Sequence, residues 1–164
     1  MSRNQNRRNG FNRRNGFTIV EISIVMLMMA IGMAAAAPTY FDAANYYSVD
    51  SAAKRIKADL EWAKREARLK SANQLVDFQT ATNDYVMTGI SPLNGGSNPD
   101  NLVKLSLRYS TEIDAAAFGT SPSTTKVTFN AFGTPDQGGT VTVSCGNHTK
   151  FVDVAQYTGV VTIR

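Results

Sequence analysis

The feature that most constrains this chain is an apolar run with one acid in it. From Phe17 to Ala37 there are twenty-one residues, and Glu21 is the only charged one. A helix of that length crosses a bilayer. Five arginines (Arg3, Arg7, Arg8, Arg13, Arg14) and no acid precede it. A positive flank is held on the cytoplasmic side, which places the C-terminal part across the membrane. A charge in hydrocarbon costs about 2.5–3.5 kcal/mol even on the lenient insertion scale. Apolarity alone does not explain Glu21, which needs a partner.

The formal net charge of +4 belongs to the arginine-rich start. Without residues 1–16 the chain carries twelve basic and thirteen acidic residues. The basicity is therefore that of a targeting segment and does not point to nucleic acid. A hexapeptide, Asn-Arg-Arg-Asn-Gly-Phe, is written at 6–11 and again at 12–17. Only its second copy leads into an apolar run with an acid at the fifth position. Ala35-Ala36-Ala37 would suit an ordinary signal peptidase, but Pro38 directly after it and Glu21 inside the run stand against that alternative.

The basic leader, the Gly16-Phe17 junction, the Phe-Thr-Ile-Val-Glu spacing and the apolar helix resemble the class III signal of type IV pilins and type II secretion pseudopilins. The resemblance implies cleavage between Gly16 and Phe17 by a membrane-embedded prepilin peptidase, and N-methylation of Phe17. It also implies that Glu21 pairs with the N-terminal amine of a neighbouring subunit during filament assembly. Pro38, the twenty-second residue from Phe17, matches the helix-loosening proline of that family.

Thr39 to Ala72 reads as a further helix, without Gly or Pro and rich in Ala, Lys, Arg and Glu. Val49, Ala52, Ala53, Ile56, Leu60, Ala63 and Ala67 make one apolar stripe at three- and four-residue steps. One element from Phe17 to Ala72 is expected, about 84 Å long at 1.5 Å per residue. Its basic residues between Lys54 and Lys70, interleaved with Asp59, Glu61 and Glu66, read as a solvated face. Trp62 is a candidate core anchor where this helix meets a sheet.

Beyond Asn73 the pattern becomes that of strands. Gln74–Gln79, Asp84–Gly89 and Val103–Tyr109 alternate, with Thr80–Asn83 as a hairpin turn. Ser91–Asn101 is a loop, and Ser110–Thr125 a second one with a helical turn around Asp114–Phe118. Val127–Phe132, Thr140–Ser144, Phe151–Ala155 and Val160–Ile163 are four further strands, with Thr158-Gly159 as the last turn. The pattern Val127-x-Phe129, Gly133-x-Pro135 and Thr158-Gly159-x-Val161 is similar to the C-terminal region of the GspH/FimT minor pilins and pseudopilins.

The expected fold is α+β and pilin-like, a long N-terminal helix packed against a C-terminal antiparallel sheet. Its parts are a leader (1–16), a transmembrane and filament-core helix (17–38), an amphipathic continuation (39–72) and a β-rich periplasmic domain (73–164). The resemblance implies a structural subunit of a secretion pseudopilus or type IV pilus, held in the bacterial inner membrane. Its partners would be other pilins and the prepilin peptidase.

The alternative function is a DNA-binding minor pilin. Some FimT-like proteins bind DNA through a Gly-Arg-x-Arg stretch, but Val160 follows Gly159 here, so DNA is not an expected partner. Cys145 stands alone, which excludes an intrachain disulfide, and reads as a small residue near a strand end. His148 is the only histidine. A metal site needs three or four ligands, so no metal or cofactor is expected and His148 reads as a loop residue. No catalytic residue is assigned, since neither a Ser-His-Asp set nor a phosphate-binding GxxxxGK[ST] loop is present.

Overall fold

The computed structural model describes residues 16–90, 100–120 and 123–164. The leader up to residue 15 and the loop expected from Ser91, as far as residue 99, lie outside the described residues. The chain divides into two units, Met1–Thr39 and Tyr40–Arg164.

Helix α1 runs from Ile19 to Lys70, with Pro38 inside it, and contributes to both units. It starts at Thr18, whose Oγ1 accepts the Glu21 backbone N–H at 3.2 Å. That is an N-cap, and it fixes Glu21 in the first turn. It stops where Ser71 enters the left-handed region at φ 49. There the Ala72 N–H returns to the Ala67 carbonyl at 3.1 Å, satisfying a carbonyl of the last turn.

In the second unit two antiparallel sheets share one core with the helix. The first is ordered β3-β2-β1-β5, from β1 (Gln74–Gln79), β2 (Asp84–Met87), β3 (Asn101–Lys104) and β5 (Lys126–Phe129). The second is ordered β4-β6-β7-β8, from β4 (Glu112–Phe118), β6 (Gly139–Cys145), β7 (His148–Val154) and β8 (Val161–Ile163). All seven residues of the apolar stripe are buried. Four of them are alanines, small enough for the helix to lie close on the sheets. Opposite them Phe78 stacks on Phe118 at 5.8 Å and tilts against Tyr85 at 5.4 Å.

Several local expectations are corrected. Val103–Tyr109 is not one strand: β3 ends at Lys104 and a short helix, α2 (Leu105–Tyr109), follows. A strand would bury Leu105 and Leu107 together. In the helix Leu105 is buried and Tyr109 half-buried, four residues on, while Leu107 is 80% exposed. Glu112–Phe118 is strand β4, not a helical turn in a loop. Pairing with β6 overrides the helical preference of Ala115-Ala116-Ala117, and a register shift between Ile113 and Ala115 breaks the alternation that would have revealed it. Strand β5 stops at Phe129 because Asn130 turns the chain, its Oδ1 accepting the N–H groups of Phe132 and Thr134.

Candidate functional site

The N-terminal motif emerges as the start of a helix with no cover. From Phe17 to Met33 every large apolar side chain is exposed, among them Ile19 at 84% and Met28 at 69%. The helix is long and apolar enough to cross a membrane. An apolar cylinder of this size does not persist in water, so lipid or other helices must cover it. Glu21 sits at its beginning. A first-turn carboxylate gains about 0.3–1 kcal/mol from the helix dipole, less than the 2.5–3.5 kcal/mol or so that hydrocarbon costs it. The helix itself therefore does not satisfy Glu21. Gly32 meets nothing within 4 Å, so its missing side chain serves no contact inside the chain. Pro38 has no N–H to give to Ala34, leaving one helical hydrogen bond unmade at that turn.

The basic half of the helix is largely exposed and carries i,i+4 ion pairs, as expected of a solvated face, but three of its cations also reach the β-domain. Lys64 Nζ donates to the carbonyls of Thr158 and Gly159 at 2.8 and 2.9 Å. Arg68 Nε donates to the Phe132 carbonyl at 2.9 Å, and Lys70 Nζ to that of Gly89 at 2.9 Å. Burial and the neighbouring Arg68 lower the Lys64 pKa. These cations close the turns of the β-domain onto the helix. Gly133 and Gly159, both at positive φ, are where the two C-terminal turns meet. A Cβ on Gly159 would lie 2.8 Å from the Gly133 carbonyl oxygen, and one on Gly133 would strike Arg68. The Gly133-x-Pro135 and Thr158-Gly159 pattern is thus a packing requirement.

Asp59 was missed in the sequence. It is buried, accepts from Arg55 Nε at 2.9 Å and takes a hydrogen bond from the Tyr85 hydroxyl. Burial raises its pKa, with Tyr85 and Arg55 pulling the other way. Burial likewise pushes the Tyr85 hydroxyl well up, and Asp59 adds to it. The signal was there: Asp59 lies three residues after Ile56 and four before Ala63, on the stripe.

His148 is not a loop residue. It opens β7, its Nε2 is 2.9 Å from Asp42 Oδ1, and its ring meets Tyr46 edge-on at 5.6 Å. Cys145, across the hairpin from it, ends β6 half-buried, its Sγ 3.2 Å from the Ser110 carbonyl oxygen. Trp62 is partly buried against the core rather than at its centre. Among the described residues no group of three or more His, Cys, Asp and Glu is placed to hold a metal.

Comparison with known proteins decides the family. The prokaryotic N-terminal methylation motif matches residues 6–37. The pattern described as type II transport protein GspH matches residues 52–159, well over half of the chain. The chain belongs to the GspH family. It is a pilin-like subunit of the minor pseudopilin and minor pilin class, from a family of structural proteins. Neither match supports the DNA-binding alternative. No curated protein matches. Among solved structures the type IV minor pilin FimU of Pseudomonas aeruginosa is similar, at 17% identity and a TM-score of 0.47, over 71% of this chain and 87% of that one.

Proposed function

We propose that this GspH-family chain is a non-enzymatic filament subunit, stored in the bacterial inner membrane and drawn from it during assembly. Residues 1–16 are removed between Gly16 and Phe17 by a prepilin peptidase, which methylates the new Phe17 amine. Residues 17–38 hold the subunit in the membrane and then pack among the helices of other pilins. Residues 39–72 continue the helix into the globular domain, and residues 73–164 make up its β-rich part on the periplasmic side.

One observation carries this reading: an uncovered apolar helix whose only charge, Glu21, stands in the first turn, four residues from Phe17. The freed amine of a neighbouring subunit is a cation that enters the same apolar surroundings. Paired, each charge relieves the other's desolvation; alone, each costs several kcal/mol. Addition of a subunit is thereby favoured at the position where amine and Glu21 meet. Pro38 loosens the helix at the end of the apolar stretch, which lets that stretch settle into a filament core.

The test is Glu21→Ala in the full chain, expressed with the filament genes. Membrane insertion and fold are expected to stay intact, while the variant recovered in sheared filaments falls at least about tenfold, the factor that a loss of 1.4 kcal/mol produces. Unchanged incorporation refutes the role of Glu21.

A further inference from the structure

In the second unit the helix and the last turn enclose an open cavity of about 350 Å3. Lys64, Arg65 and Arg68 line it from the helix, together with Glu61, and Gly159 to Val161 from the turn. Most cations of this helix are already engaged. Lys54 pairs with Asp50 at 2.6 Å, Arg55 with Asp59 at 2.9 Å and Lys70 with Glu66 at 3.3 Å. Lys64 and Arg68 Nε are engaged on loop carbonyls. Arg65 and Lys57 make no hydrogen bond or ion pair among the described residues, and of the two only Arg65, which is exposed, lines the cavity. Beside it the outer nitrogens of Arg68 make no hydrogen bond or ion pair among the described residues either. Val160 in the cavity lining is 51% exposed. Two aromatic residues on the turns that Arg68 and Lys64 hold, Phe132 at the Arg68-bound carbonyl and Tyr157 next to Thr158, are 81% and 84% exposed.

We propose that this cavity is a subunit contact, and that it receives an Asp or Glu side chain, flanked by apolar residues, from the globular domain of a neighbouring pilin-like subunit. It rests on the filament-subunit reading above. A guanidinium fork donates two parallel hydrogen bonds to a carboxylate. Arginine and aromatic side chains around a partly desolvated pocket are what protein contacts concentrate. Nucleic acid fits less well. It needs a row of free cations to displace counterions along many phosphates, whereas here the lining includes Glu61 and most cations are engaged. The contact discriminates between neighbours by charge, so it selects which subunit stands next to this one.

The experiment places a photo-crosslinking amino acid at Tyr157 in the full chain, in cells carrying the filament genes, with and without Arg65→Glu. Position 157 is expected to crosslink to a pilin-like subunit within a peptide bearing Asp or Glu. Arg65→Glu is expected to reduce that product, and incorporation into sheared filaments, about tenfold, the scale of one charge-assisted contact. Exchanging the partner's acid for Lys restores both. Lys104→Glu, the same charge change outside the cavity, leaves them as they were, and an unchanged thermal melt of the Arg65→Glu chain separates contact from fold. A crosslink to nucleic acid, or product and incorporation indifferent to Arg65→Glu, overturns this contact and leaves the subunit reading standing. A wild-type chain that never enters a filament overturns both.

Discussion

The two halves of the one helix, before and after Pro38, have the same backbone and opposite surroundings. Between Ile19 and Thr39 nothing is buried; between Val49 and Ala67 eight residues are. The later half finds its cover inside the chain, on two sheets. The earlier half has none, and its single carboxylate shares the deficit. A substitution on the buried stripe of the later half is therefore expected to be read out as stability of the domain, and one in the earlier half as assembly. Burial, rather than helix propensity, separates the two.

The largest effect is expected at the centre of the covered face. Ile56→Ala removes a fully buried side chain and costs about 2–5 kcal/mol, measured by denaturant unfolding of the detergent-solubilised chain. A loss under 0.5 kcal/mol would break the comparison, since this half would then not depend on its packing. Next, Tyr85→Phe leaves Asp59 buried with Arg55 alone and costs about 1–3 kcal/mol in the same measurement.

The pH profile sharpens the point. Burial holds the Asp59 pKa above its unfolded value, so in that window the folded state binds more protons than the unfolded one. Its contribution is full below the unfolded carboxylate value, about 3.9, and is lost as pH rises through the raised folded value. Asp59→Asn removes this slope; unfolding curves over pH 4 to 7 that keep it in the variant would contradict the assignment. A smaller effect, about 0–1 kcal/mol, is expected from Asp42→Asn, because the Asp42–His148 pair is exposed on the Asp42 side. At the small end, Leu27→Ala in the uncovered half leaves domain stability within about 0.5 kcal/mol, while incorporation into filaments falls.

What was legible in the sequence followed from periodicity and charge. The stripe from Val49 to Ala67 gave the helix face, and Gln74–Gln79 gave a strand, because each has a period that the packing preserves. Leu105 and Ala115–Ala117 were misread for the opposite reason. A change of element within the alternation at Leu105 and a bulge at Asp114 are settled by partners far along the chain, Asn83 and β6, that local spacing does not contain. The turn-closing work of Lys64 and Arg68 was hidden likewise: a basic face looks the same whether its cations meet water or carbonyls some sixty to ninety-five residues away. Glu21 stands out in the sequence because it violates the rule its surroundings obey.

The measurement that tests the account most directly is the intact mass and N-terminal residue of the chain after co-expression with a prepilin peptidase. The account predicts a chain that begins at N-methylated Phe17, with Glu21 as its fifth residue. A chain that begins at Pro38 or beyond would contradict it, since the uncovered helix would then be a discarded signal and Glu21 would have no part in assembly.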